Sequence, residues 1–218
     1  MTESIARHPS AIPEIARPDA HAVFMTYWYV ADAEQGRAVL DEIADAWQQA
    51  DRPKEILSFS CYLSTDDDTV MTYVQCTDSA AYRPFVSGLP VAAARVEPLE
   101  FRRHRSVVLD PGAGPPNALV TALFDVDGGE RQQRIVASVA ENLERAPADE
   151  YVGLIASHFH LSADGTRVVN FAEWTSDEAH VVFLEGATRH SSLRITNDMA
   201  GVRPIGYRRY HLHRSVGS

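Results

Sequence analysis

The chain is written twice. Leu63-Ser-Thr-Asp-Asp-Asp-Thr-Val70 lines up with Leu161-Ser-Ala-Asp-Gly-Thr-Arg-Val168, and at the same offset Thr77 falls on Thr175, Phe85 on Phe183 and Gly88 on Gly186. Upstream, Ala22, Val30 and Glu34 fall on Ala118, Val126 and Glu130. Downstream, Val96-Glu-Pro-Leu-Glu-Phe-Arg-Arg103 falls on Val202-Arg-Pro-Ile-Gly-Tyr-Arg-Arg209. A repeat of this period restricts the chain to folds in which one structural unit occurs twice. The offset widens along the chain, so the second copy carries two short insertions, the larger near Ala187 to Ala200. The expected organisation is an extended N-terminal arm (1–20, with Pro9, Pro13 and Pro18), a first repeat (21–109), a Pro/Gly linker (110–117) and a second repeat (118–216).

Each copy reads strand, helix, strand, strand, helix, strand. Ala22 to Val30 is rich in β-branched and aromatic residues, and Asp32 after it suits a helix cap. Val39, Leu40, Ile43, Ala44 and Trp47 recur at helical spacing, as do Ile135, Val136, Val139, Ala140 and Leu143. Ser58 to Leu63 and Val70 to Val74 form a hairpin, with Asp164-Gly165 as the tight turn of the second copy. Thr175 to Glu178 has the form of a capping box, and Gly186 stands where a left-handed residue would end the helix that follows. The order βαββαβ is the ferredoxin-like plan, with helices on one sheet face only. The predicted fold is therefore α+β: two tandem ferredoxin-like repeats that cover each other's bare sheet faces and form an intrachain dimeric α/β barrel.

Side chains alternate faces along a strand. Leu57, Phe59, Cys61 and Leu63 belong under the helices, and Ser58, Ser60 and Tyr62 look the other way, as do their counterparts Ala156, His158 and His160. A polar face turned toward a partner sheet predicts a lined pocket between the sheets. Asn170 and Trp174, four apart on one strand, share a face, and an amide and an indole N–H on one wall can bond the oxygens of a flat aromatic ligand. These two are expected to project into the enclosed space between the sheets, not toward the helices. The bland alternative is a Trp used as core filler and an Asn bonded to backbone.

Thirty Asp and Glu against 20 Lys and Arg give a net charge of −10, without a basic cluster, which argues against nucleic acid as a partner. No apolar run reaches the ~20 residues of a spanning helix and no secretory block opens the chain, so a soluble, cytoplasmic protein without a membrane partner is expected. Cys61 and Cys76 are too few for a disulfide framework and read as buried hydrophobes.

The segment Val168-Val-Asn-Phe-Ala-Glu-Trp-Thr-Ser-Asp-Glu-Ala-His180 resembles the signature of the antibiotic biosynthesis monooxygenase family, where a strand ending in Trp meets a helix opening with Ser/Asp/Glu-Ala. The Asn-x-x-x-Trp pair, Asn170 and Trp174, matches the pair carried by the family's anthrone oxygenases. The resemblance implies paired ferredoxin-like units and oxidation of an aromatic polyketide by O2 to a quinone, with no cofactor and no metal. It also implies Arg194 and His180 as catalytic helpers; the polar sheet face adds His158, His160, Tyr62 and Ser60, with Phe171, as expected substrate contacts. Copy one departs from the motif, with Thr72 and Cys76 at the Asn and Trp positions, so one working site in copy two is expected.

Two rivals stand beside this. His158-Phe-His160 and His211-Leu-His213 each place two imidazoles on one strand face, a spacing compatible with a metal, and haem-degrading relatives suggest His180, His158 or His160 as an axial ligand. Loss of the motif in copy one also allows a non-oxygenase cyclase or binding protein on the same fold. Whether two whole chains pair further, as a homodimer, is left open by the sequence.

Overall fold

The computed structural model describes residues 12–91 and 96–217; Pro9 and the rest of the arm before residue 12 lie outside them. Copy one runs β1 (Ala22–Tyr29), α1 (Ala33–Gln49), β2 (Ile56–Ser64), β3 (Thr69–Cys76), α2 (Tyr82–Ser87) and β4 (Leu99–Val108). Copy two runs β5 (Ala118–Val126), α3 (Gly129–Arg145), β6 (Leu154–Ser162), β7 (Arg167–Trp174), α4 (Asp177–Leu184), α5 (Ala187–Asp198) and β8 (Val202–Gly217). Asp32 caps α1 as expected, its carboxylate accepting from the Gln35 N–H at 2.9 Å. The hairpins form where alternation placed them, and Gly165 turns the second with φ +79°, a conformation costly for any residue with a Cβ.

The eight strands close into one antiparallel barrel in the order β1-β3-β2-β8-β5-β7-β6-β4. Each repeat contributes four neighbouring strands, and two seams join them: β4 pairs with β6 from Phe101↔Ser162 to Val108↔Ala156, and β2 pairs with β8 from Ser58↔Gly217 to Ser64↔Tyr210. Closure leaves no unpaired sheet edge. The helices lie outside, each set over its own repeat. Phe59, Cys61 and Leu63 pack under α1 and α2 with Leu40, Ile43 and Trp47, as alternation required, whereas Leu57 falls at a bulge in the β2–β3 register.

Three expectations are corrected at this level. The space between the sheets is not one chamber: Met25, Met71, Tyr73, Val169 and Phe171 fill its middle and are fully buried, leaving hollows only toward its ends. The helix expected to open on Thr175 opens one residue later, Ser176 accepting from the Ala179 N–H at 3.2 Å. Gly186 is not left-handed (φ −78°); it starts α5, a helix made from the insertion that has no counterpart among the described residues of copy one. The periodicity of 187–198 is weak because Thr188 and Thr196 are its buried residues, so an apolar count misses it.

The described part of the arm, residues 12–20, crosses one barrel end. Ile15 is buried in the interior cluster, and the Gln75 amide donates to the carbonyls of Glu14 and Ile15 at 3.0 and 3.3 Å.

Candidate functional site

Alternation along β7 puts Val169 and Phe171 inside the barrel and Val168, Asn170, Ala172 and Trp174 on the outer face beneath the helices. Asn170 and Trp174 therefore point toward α3, α4 and α5, the opposite of the sequence-based expectation. The middle of the space on which that expectation depended is filled. A half-open pocket lies where the two side chains do point, with a volume of about 130 Å³. Its floor is β5, β6 and β7, its side wall is Val139 and Leu143 of α3, and its roof is α4 and α5.

Comparison of the copies explains why only the second is hollow. In copy one Trp47 stacks on Phe59 with ring centroids 4.6 Å apart, and Phe24 stacks on Tyr82 at 4.0 Å, filling the space under α1 and α2. At the matching positions copy two has Leu143, Ser157, Val120 and His180. Phe59 pairs with Val74 and Ser157 with Ala172, so the two occupy the same place in register. Replacing two rings by a hydroxymethyl and an isobutyl group leaves a void that neighbours fill only in part.

Three polar groups meet in this otherwise apolar space. Trp174 is 2% exposed, and its Nε1–H has no hydrogen-bond partner among the described residues. His180, 3% exposed, has an equally unpartnered Nδ1 and lies 5.1 Å from Trp174, edge to face. Asn170 accepts at Oδ1 from the Ser157 hydroxyl at 2.6 Å, which fixes the amide and leaves Nδ2 without a partner among the described residues. Buried polar atoms are almost always bonded, so two orphans beside one cavity indicate groups that await a ligand. Burial, with help from the charges of Arg209 and Arg189, pushes His180 down to about 4, so its imidazole is neutral at neutral pH. Arg189 lines the cavity, and its own acidity is raised by burial. At the mouth Tyr207 presents its ring edge to His180 at 5.3 Å.

The remaining expected site residues lie elsewhere. Arg194 is exposed on α5, whereas Arg189, five residues earlier, lines the cavity. Tyr62, His158, His160 and Phe171 sit inside the barrel, and Ser60 is at a seam, facing Ser215 across 3.2 Å. His160 donates from Nδ1 to the His158 carbonyl and accepts at Nε2 from the Tyr73 hydroxyl at 3.0 Å; burial pushes it down to about 3. His158 is held between Ser106 at 2.8 Å and Glu173 at 3.2 Å. His211 and His213 reach outward to Asp177 and Asp41, so the two histidine pairs of the metal reading do not converge. Both cysteines are buried and pushed up to about 12. Ser157, Arg189 and Tyr207 were missed; the signal for the first lay in the repeat itself, where a bulky residue of copy one faces a small one in copy two.

No family model and no curated protein matches the sequence. Solved structures do. A protein described as anthrone oxidase-like superposes with a TM-score of 0.72 over 91% of this chain and 94% of its own, at 14% identity. A monooxygenase-like protein from Listeria innocua gives 0.53 over 88% and 94%, at 12% identity. A ferredoxin-fold protein related to antibiotic biosynthesis monooxygenases, from Listeria monocytogenes, gives 0.52 over the same shares, at 13% identity. This chain has their fold. The tandem ferredoxin-like barrel read from the repeat is thus a fold that solved proteins adopt over nearly their whole length. No helix among the described residues is long and apolar enough to cross a membrane.

Proposed function

We propose that the protein is a monooxygenase that oxidises an anthrone-like aromatic polyketide with O2 in the cavity beneath α4 and α5. The observation that carries this reading is the pairing of an apolar pocket with unpartnered nitrogens on Trp174 and His180 and an oriented amide on Asn170. The names of the solved structures that share the fold agree with an oxygenase. The expected placement of Asn170 and Trp174 between the sheets is not part of the proposal; the same two groups act on the other sheet face.

In this scheme a phenolic or enolic oxygen of the substrate accepts from Trp174 Nε1 and Asn170 Nδ2. The indole donor is buried and the amide is held by Ser157, so both favour the substrate anion with little reorganisation. Arg189 and Arg209 add positive potential, the same field that depresses His180. Neutral His180 has an unpartnered ring nitrogen with which to take up the benzylic proton. The carbanion passes one electron to O2, the radical and superoxide combine to a peroxide, and loss of water leaves the carbonyl. One CH2 and one O2 become one C=O and one H2O, and the substrate supplies every electron.

Oxygen uptake tests the proposal. Purified protein should consume one O2 per anthrone converted, and Asn170→Ala and Trp174→Phe should each lower kcat/KM by about 10²-fold, the scale of losing one anion-stabilising donor. Melting temperatures should change far less. Turnover that requires added flavin, haem or metal rejects the scheme, and tight binding with no O2 uptake favours the binding-protein alternative.

A further inference from the structure

On the inner face of β6 and β7, away from the oxidation pocket, three side chains form a chain of hydrogen bonds that the oxidation does not use. His158 is 2% exposed; its Nδ1 stands 2.8 Å from the Ser106 hydroxyl and its Nε2 stands 3.2 Å from a Glu173 carboxylate oxygen. Register brings them together. Ser106 pairs with His158 across the β4–β6 seam, and His158 pairs with Phe171, two residues from Glu173 on the same face of β7. A carboxylate only accepts, so Glu173 takes the hydrogen on Nε2 and leaves Nδ1 to accept from Ser106. A serine with a base in reach, and that base oriented by a carboxylate, is the arrangement of an activated nucleophile.

Arg103 adds a fourth group. Its Nη1 donates to Ser106 Oγ at 3.3 Å, and its Nη2 donates to the Ala16 and Arg17 carbonyls of the arm at 3.3 and 3.5 Å. Its Nε is buried and has no partner among the described residues. Buried donors are almost always bonded, so a free one beside this serine stands where a carbonyl oxygen gaining charge would need it. Ser106 is half-buried near the end of β4, which places the nucleophile at the barrel rim. Glu173 also lines a hollow of about 200 Å³ beneath the arm, with Ile15, Leu119, Phe171 and Leu212. A void of about 150 Å³ accepts a benzene ring, so this hollow has room for a small aryl or short acyl group.

We propose that Ser106, His158 and Arg103, with Glu173 as the positioning residue, form a second active site that hydrolyses small aryl or short-chain esters. Ser106 Oγ bonds to the ester carbonyl carbon as its proton passes to His158 Nδ1, and the carbonyl oxygen takes up charge against Arg103 Nε. The bond from carbon to the alcohol oxygen then breaks, and the alcohol leaves with the proton from His158. Water attacks the acyl-serine in the same way and releases the acid. One ester and one water become one acid and one alcohol, with no oxidant.

Diisopropyl fluorophosphate and p-nitrophenyl acetate test this in the full chain. The fluorophosphate should place a single label on Ser106, read by peptide mass mapping of the wild type. The acetate should be hydrolysed with an initial burst of p-nitrophenolate, and Ser106→Ala should lower kcat/KM by about 10³-fold or more while oxygen uptake with an anthrone is unchanged. Glu173→Gln should lower kcat for the ester about 10²-fold with KM unchanged, a split that mere loosening of the barrel would not give. A wild-type chain that takes no label on Ser106 overturns the second site, whatever the folding of the variants. Ester hydrolysis that survives Ser106→Ala, or an unaltered kcat in Glu173→Gln, overturns it too, and each of these results leaves the oxidation pocket standing.

Discussion

His180 shows what burial does to one imidazole. Its neutral form is favoured in the folded protein, so the group stays ready to accept a proton well below the ordinary histidine range. If it is the base, kcat/KM for the anthrone should stay flat from pH 8 down to about 5 and fall toward the depressed value near 4; His180→Gln should remove that inflection. His160 carries a related consequence for stability. Its folded value, about 3, lies below the unfolded one, so its contribution is complete above the ordinary value of 6.5. Stability is then lost as pH falls through the interval between them, at up to ~1.4 kcal/mol per pH unit. Urea midpoints measured between pH 7 and 4 should fall in the wild type and fall less in His160→Gln. Residues of this kind were only half legible. Asn170, Trp174 and His180 are found from their spacing and the family resemblance, but which sheet face carries the cavity is not, because alternation separates two faces without labelling them. The polar face of Ser58, Ser60, His158 and His160 suggested a pocket; the structure spends those groups on bonds inside the barrel.

Among the described elements, α5 is the one without a counterpart in copy one, and it roofs the cavity. Asn142 of α3 holds it by three contacts: its amide donates to the Thr188 carbonyl at 3.3 Å and to the Ser192 hydroxyl at 2.9 Å, and its carbonyl accepts from Ser191 at 2.8 Å. Asn142→Ala should therefore loosen the roof, costing about 1–2 kcal/mol. Faster amide exchange across residues 187–198 and a raised KM, with exchange in the strands unchanged, would show it. The helix was invisible to periodicity because its buried residues are threonines and only Leu193 and Ile195 add apolar contacts, whereas α1 and α3, with apolar faces at every turn, show it in the spacing of their apolar residues. The floor makes a complementary prediction. Ser157→Phe installs in copy two the residue that fills copy one; it should abolish ligand binding while leaving the melting temperature equal or higher, measured by calorimetry and thermal unfolding.

For the molecule as a whole, closure depends on both halves. A lone second repeat would expose Phe171, Val169 and two unpaired strands, β6 and β8. Residues 118–217 produced alone should thus elute as a dimer that rebuilds the barrel, or aggregate, but not persist as a folded monomer; sedimentation distinguishes these outcomes. The overall plan was legible because a repeat is a long-range signal: the seams follow once two ferredoxin-like sheets must hide one face each. Copy one supplies half of the barrel wall, and its own space under the helices is closed by a few rings. Exchanging Trp47 for Leu and Phe59 for Ser would hollow it, at a cost of several kcal/mol. With Thr72→Asn and Cys76→Trp added, the filled half becomes a second receptacle on the far side of the same barrel, carrying the same amide and indole as the first.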